Sequence, residues 1–220
     1  MTGTTKDTKH AKDTKPNLPS GWRWVRLGDV VSKAQAGFAC GRRDELGIVQ
    51  VRMQNVNTVG CFVWDNLVRI PVADIPNEES LLQPNDVLFN NTNSTELVGK
   101  SALFESYAES VVFSNHFTRL TPDLSLLDPS YLTKWLVQLW QRGIFAAICN
   151  RWIGQSAIKG DKLLKLEIPL PPLPEQRRIA AILKEQMAAV DKARAAAEAE
   201  LAAINALPAA LLRRAFNGGL

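Results

Sequence analysis

The C-terminal quarter of the chain constrains the fold most strongly. From Ile179 onward, apolar residues return at steps of three and four: Ile179, Ile182 and Leu183, Met187, Val190, Ala193 and Ala197, then Leu201 and Ile204. Lys184, Glu185, Asp191, Lys192, Arg194, Glu198 and Glu200 fall between them. This is the spacing of an amphipathic helix sustained over about four heptads. Pro174-Glu175-Gln176 suits its first turn, where a missing N–H costs nothing and an acid meets the positive helix end. From Glu175 to Leu207 such a helix is about 50 Å long. A small domain cannot cover a stripe of that length, so the pattern predicts a partner helix, from this chain or from another copy. Pro208 predicts a break or kink, and Ala209 to Phe216 a second short helix closed by Gly218-Gly219. The predicted pairing seam comprises Ile179, Ile182, Leu183, Met187, Val190, Leu201, Ile204, Leu211, Leu212 and Phe216. The competing reading of the same pattern is a surface helix lying along the domain.

The rest divides in two. Residues 1–17 are Thr, Lys and Asp with almost nothing apolar, which predicts a disordered tail: a solvated leader, or a basic arm that touches phosphates. Residues 18–170 predict a mixed α+β domain, because strands and helices alternate without a βαβ repeat. Val49, Val51 and Met53 alternate with Gln50 and Arg52, the mark of a half-buried strand. Val87-Leu88-Phe89, Lys100 to Phe104, Val111 to Leu120 and the alternation Leu164, Leu166, Ile168, Leu170 read as further strands. Asn90-Asn91-Thr92-Asn93-Ser94 reads as a loop, since short polar side chains compete with a strand ladder. Asp128-Pro129 is a helix start and Gly143 its stop, with Leu132, Trp135, Leu136, Leu139 and Trp140 at helical spacing between them.

Composition narrows the function. Over 220 residues, 46% hydrophobic and 22% charged content suits a buried core. With no unbroken run of about 18 apolar residues, no membrane span is expected. Met1 to Ser20 holds no apolar stretch, so no signal peptide is expected. Cys40, Cys61 and Cys149 are odd in number and widely spaced, which fits a reducing, cytoplasmic setting and no disulfide scaffold. The net charge of +4 is shared by the two ends; residues 21–173 carry 15 basic and 15 acidic side chains, so nucleic-acid binding there needs a local patch.

Familiar catalytic sets are missing. Histidine occurs only at positions 10 and 116, so no metal site is expected. Gly99-Lys100-Ser101 resembles the end of a phosphate-binding loop, but Ser94 stands where that loop needs glycine, and a strand follows. Asp86, Glu96 and Lys100 lack the spacing of a nuclease centre. Pro171-Pro172 follows Leu170, which cannot orient an amine for methyl transfer.

Several segments in one order resemble a known family. These are Leu18-Pro19-x-Gly21-Trp22-x-Trp24-x-x-Leu27-Gly28-Asp29, Val51-Arg52-Met53-Gln54-Asn55-Val56, Asp86-Val87-Leu88-Phe89, Asn93-Ser94-x-Glu96-Leu97-Val98-Gly99-Lys100 and Gly154-Gln155-Ser156. To these add Leu170-Pro171-Pro172-Leu173-Pro174-Glu175-Gln176-Arg177-Arg178-Ile179 and Leu211-Leu212-Arg213-Arg214-Ala215-Phe216-x-Gly218. Together they resemble the specificity subunits of type I restriction-modification systems, from Leu18 to the C-terminus. The resemblance implies a non-catalytic reader of double-stranded DNA. It implies a target recognition domain over residues 18–170 and a conserved helical spacer over 171–220. Family members typically carry two of each, so one of each implies a half-length form or a fragment of a longer subunit; a half-length form would pair with a second copy and read a palindromic split site. Methyltransferase and restriction subunits would assemble on it. The chain itself would need no cofactor, since S-adenosylmethionine and ATP would be bound by those partners. The alternative is an assembly adaptor that does not itself read DNA.

Polar residues in the predicted loops are the DNA-contact candidates: Arg42, Arg43, Gln54, Asn55, Asn90, Asn91, Asn93, Ser94, Lys100, Ser114, Asn115, His116, Arg119, Arg151, Gln155, Ser156 and Lys159. Arg and Lys suit phosphates, while Asn, Gln and Arg can make paired hydrogen bonds to base edges. Asn93, Ser94 and Gly99 match family-typical positions and read equally well as loop-shaping. Trp152, between Arg151 and Gly154, is the aromatic expected nearest DNA; Trp22, Trp24, Trp135 and Trp140 are expected in the core.

Overall fold

The computed structural model describes residues 16–219, so nearly all of the predicted tail lies outside them. In chain order the elements are β1 (Arg23–Arg26), β2 (Val31–Ala36), β3 (Ile48–Val51), β4 (Val68–Ile70), β5 (Val87–Asn90), β6 (Thr92–Asn93), β7 (Ser101–Leu103), β8 (Val111–Phe113) and β9 (Phe117–Pro122). Then come α1 (Pro129–Gln141), α2 (Ile144–Ile148), β10 (Asn150–Trp152), β11 (Gln155–Ala157), α3 (Gly160–Leu164), β12 (Glu167–Leu170) and α4 (Leu173–Phe216). The α+β class read from the sequence holds.

The central sheet is antiparallel, in the order β2-β9-β5-β7. Its inner strand β5 is buried at every position because both faces are covered there, while the edge strand β2 alternates between half-buried and exposed residues. Val87 and Phe89 of β5 point into one core with Leu132, Leu136 and Phe145 of the helices. Leu88 points the other way, into a second core with Val49, Val51, Val111 and Phe113. That second core sits under the sheet β4-β3-β8, in which β3 and β8 run parallel. Being the middle strand, β3 is buried at all four positions, not alternately as its sequence predicts. Its inward polar residue, Gln50, donates to the Phe38 carbonyl at 3.0 Å.

Two other strand expectations change. Val111 to Leu120 is not one strand: Ser114-Asn115-His116 turns the chain, with the Phe117 N–H donating to the Ser114 carbonyl at 3.0 Å, and β8 and β9 join different sheets. The polar run Asn90–Ser94 is not all loop either. Asn90 ends β5, and Thr92–Asn93 pairs with Ser156–Ala157 in a small sheet, β10-β11-β6. Between β12 and the preceding segment, Leu164 closes α3 instead of starting the strand.

The helix start at Asp128 is as predicted, with the carboxylate accepting the Tyr131 N–H at 2.9 Å and Pro129 in the first turn. Gly143, at φ 72°, ends that helical run. Trp135 is buried, whereas Trp22, Trp24 and Trp140 are half-buried.

The joint between domain and α4 is built around Gln176, which is fully buried. Its Oε1 accepts the Asp128 N–H at 2.8 Å; its Nε2 donates to the carbonyls of Leu126 and Pro171, each at 2.9 Å. One amide thus joins the start of α1 to the start of α4. Nearby, the Tyr131 hydroxyl donates to the Pro169 carbonyl of β12 at 2.6 Å. Burial pushes that phenol up to about 12.

Beyond the joint, α4 runs unbroken for 44 residues. The predicted break at Pro208 and separate C-terminal helix are therefore corrected to one continuous helix. Proline 208 removes one hydrogen bond, but Ala, Leu and Arg flank it, all strong helix formers. The seam also divides. Ala180 is buried, and Ile179, Leu183 and Met187 are half-buried where α4 lies along α1, so these three cover their own domain. From Ala188 to Phe216 every residue is exposed, a free length of about 43 Å. The exposed stretch includes Val190, Leu201, Ile204, Leu211, Leu212 and Phe216. Within α4 an 18-residue window reaches a mean hydropathy of 1.3, so length and apolarity alone do not exclude a bilayer, contrary to expectation. Alanine supplies much of that apolarity, and Glu198, Glu200, Arg213 and Arg214 punctuate the helix.

Replacing Gln176 with Ala strands one N–H and two carbonyls, at about 1–3 kcal/mol for each buried group left unpaired. Urea unfolding is expected to show a loss of about 3 kcal/mol or more. Gln176→Glu places a carboxylate against two carbonyl oxygens, which raises its pKa. That variant should regain stability as pH falls, because protonation restores a donor.

Candidate nucleic-acid interface

Five of the candidate contact residues are buried and committed inside the domain. Asn55 closes the turn Met53–Asn55: its Oδ1 accepts the Arg52 N–H at 3.0 Å, and its Nδ2 donates to the carbonyls of Val63 and Asp65 at 3.1 and 3.0 Å. Lys100 reaches the same turn from β7, donating to the carbonyls of Met53 (3.3 Å) and Val56. Its burial lowers the ammonium pKa. Asn90 donates to the carbonyls of Thr92 and His116 at 3.1 and 2.9 Å. Arg119 donates to the Leu81 carbonyl at 2.8 Å and to Gln35, with the Asp86 carboxylate at 3.4 Å. Ser156 shares a 2.7 Å hydrogen bond with the Thr95 hydroxyl. The structure thus places these five inside the domain, as its frame, and not on exposed loops: four bond main-chain carbonyls, and Ser156 bonds a neighbouring hydroxyl.

Gly99 belongs to that frame. Its φ is 93°, and a Cβ there would come within 2.3 Å of the Phe145 ring. The Gly-Lys-Ser sequence is thus a close approach of β7 to α2 followed by an internal lysine, not a phosphate cradle.

The remaining candidates lie along linked surface segments. The 37–47 loop is tied down by Arg52, which donates to the Cys40 carbonyl at 3.1 Å. Next to it, Phe38 bridges Ser114, and the Asn115 N–H donates to the Phe38 carbonyl at 3.2 Å. Asn91 continues the series, with its N–H donating to the His116 carbonyl and its own carbonyl accepting the Ile158 N–H, both at 2.9 Å. From Ile158 the chain leads back into β11 and the β10–β11 hairpin. Arg42, Arg43, Asn115, Arg151, Trp152, Gln155 and Lys159 are exposed along this series. Gln54 is exposed too, with its amide 3.4 Å from the Asn66 carbonyl. Ser114 is buried in the turn.

Several of these groups already have partners. Arg42 is 2.9 Å from Asp74, and Arg43 donates to the Arg42 carbonyl at 2.8 Å. Arg151 donates to the Ala146 carbonyl at 2.9 Å. The half-buried asparagines hold one another in place: Asn93 donates to Asn90 at 2.6 Å and accepts the Ser94 N–H at 2.8 Å, while Asn91 donates to the Thr118 hydroxyl at 3.1 Å. Burial and the nearby Arg52 charge lower the pKa of His116, so its imidazole is neutral at pH 7 and can both donate and accept. Among the described residues, no three His, Cys, Asp or Glu side chains gather where they could share a metal ion.

Sequence reasoning passed over Arg52, Asn150 and Ile153. Arg52 stood inside a quoted motif, but only its bond to Cys40 shows that it organises the neighbouring loop. Ile153 is fully exposed at the hairpin tip. Its signal was available: two large apolar residues directly before a turn glycine.

Comparison with known proteins accounts for this arrangement. Residues 19–200 match the model of the type I restriction modification DNA specificity domain. Over 188 residues the chain is 30% identical to a Methanocaldococcus jannaschii protein named for the specificity subunit of type I restriction enzyme MjaX, covering 82% of this chain and 43% of that protein. It is 27% identical over 204 residues to the type I restriction enzyme StySPI specificity subunit of Salmonella potsdam, covering 91% and 43%. Among solved structures, a chain from a study of complex assembly and conformational transition of the type I R-M system superposes with a TM-score of 0.67 at 26% identity, covering 94% of this chain and 49% of that one. The HsdS subunit of Thermoanaerobacter tengcongensis gives a TM-score of 0.59 at 28% identity, covering 94% and 48%. The chain spans about half the length, or less, of these relatives. On these grounds the chain belongs to the type I restriction modification DNA specificity domain family.

Proposed function

We propose that the chain is a non-catalytic DNA-specificity subunit that supplies one recognition domain and one helical strut, and that two copies pair to read a palindromic split site. The carrying observation is the continuity of the α4 stripe. Gln176, Ala180, Leu183 and Met187 meet the domain, and the same helical face runs on through Val190, Ala197, Leu201, Ile204 and Leu211 with nothing over it. A covered stripe that continues uncovered calls for a second helix where α1 ends. A second copy offers an identical stripe, and two-fold pairing would present the same reader to both halves of a site.

In this reading the exposed series from Arg42 to Lys159 faces DNA. Its cations position the module on phosphates; Gln155 and Asn115 are the amides free enough to meet base edges. Methyltransferase and restriction subunits assemble on the paired struts in the cytoplasm and bring the chemistry, binding S-adenosylmethionine and ATP themselves.

Wild-type chain is expected to sediment at twice its 24.3 kDa mass. Val190→Asp with Ile204→Asp should return it to the single-chain mass with an unchanged circular dichroism melt; a dimer that survives both charges removes the strut from the interface. On DNA, Arg151→Ala should weaken binding to all sequences alike and flatten the salt dependence by about one phosphate contact. Gln155→Ala should cost about 1–3 kcal/mol on the cognate site and relax preference at one base pair of each half-site. Complexes that assemble normally with either variant and still bind DNA as wild type would point to the adaptor role instead.

A further inference from the structure

The β10–β11 hairpin ends in an exposed apolar tip. Ile153 at its tip is completely exposed, at 106% of its reference area, and Trp152 beside it is 59% exposed. Neither holds the fold together. The tip is a two-residue connection, Ile153-Gly154, in which Gly154 takes the left-handed turn position at φ 77°. Strand β6 pairs only with Ser156 and Ala157, so the Trp152–Gln155 rung and the tip extend past the three-stranded part of the sheet. On its other side β10 has no neighbour. The result is a narrow, free two-stranded ribbon with an apolar end.

Charge shows what that end suits. Residues 150–165 carry Arg151, Lys159, Lys162 and Lys165 against the single acid Asp161, while the domain as a whole is neutral. Cations at the base of a ribbon and an apolar group at its end match a DNA groove, where phosphates line the rims and base edges form the floor. The major groove admits a two-stranded ribbon, and its one apolar base group is the C5-methyl of thymine. A neutral protein face would use the apolar tip but not the cations behind it.

We propose that Ile153 is a specificity-determining residue that packs on a thymine methyl group in the major groove, with Trp152 and Gln155 on the rung behind it. This rests on the DNA-recognition reading. Ile153 contributes shape and apolar contact, where its neighbours contribute hydrogen bonds and charge. It is a type of reader that a search for polar residues does not find.

The test uses the full chain in its assembled complex. The probe is a labelled duplex carrying the sequence that the complex methylates, with each thymine of one half-site replaced in turn by deoxyuridine, which lacks only the methyl. Wild type should lose about three- to tenfold in affinity at one such position. Ile153→Ala should lose a similar factor on the thymine duplex and show no further loss on that deoxyuridine duplex. Its thermal midpoint should match wild type, since the side chain touches nothing in the fold. Equal binding by Ile153→Ala and wild type on the thymine duplex overturns the proposal, as does an undiminished deoxyuridine effect in the variant. If Ile153→Ala instead blocks assembly with the partner subunits while the chain binds DNA as before, the tip is a protein contact and the proposal is likewise overturned. A wild-type complex without sequence preference would defeat the recognition reading itself, an outcome visible before any variant is made.

Discussion

One carboxamide sets the relation between domain and strut. Gln176 satisfies an N–H at the start of α1 and two carbonyls, one in the loop before α1 and one in the proline segment before α4. The Gln176 side chain itself is fully buried, so its amide has no alternative partner in water and depends on these three groups. The direction of α4 follows from this joint. With its first turns fixed along α1, the remaining helix leaves the domain at a defined angle, so the exposed stripe of α4 and the loop surface of the domain keep a fixed relation. On the proposed DNA reading, a flexible hinge here would let the domain wander over its site, whereas a bonded joint would transmit the spacing of two paired helices to their domains.

The same logic runs through the domain. Lys100, Asn55, Asn90 and Arg119 all bond to main-chain carbonyls. Main-chain oxygens are present whatever side chains the loops carry. A frame anchored on them keeps its shape when exposed residues such as Arg42, Asn115 or Gln155 change. The domain therefore separates what holds the loops from what the loops present. That separation is the physical condition for altering specificity without refolding the scaffold.

Local signals were the legible ones. The Asp128 cap, the Gly143 stop and the stripe of α4 each depend on neighbours within a few residues, and each is where the sequence placed it. What the sequence concealed depends on partners far along the chain. β3 looked half-exposed because its second face, Ile48 and Gln50, is covered by Phe38, Ile70 and Leu81 from other segments of the chain. The run Asn90–Ser94 looked like loop because its pairing strand, β11, follows 60 residues on. Polar identity alone could not separate frame from surface: Asn90 and Asn115 are the same residue type, one tied between two carbonyls and the other turned outward. Propensity outweighed a local breaker at Pro208, where a single proline among alanines and leucines does not end the helix.

The uncovered length of α4 also bears on how much of the protein a cell can hold. About 43 Å of apolar stripe faces solvent until another helix covers it. Exposed apolar surface of this kind is what chaperones and proteases bind, so a chain whose stripe stays uncovered is open to removal. On the pairing proposed above, the stripe would also set the number of copies, since unpaired chains would be cleared while paired ones persist.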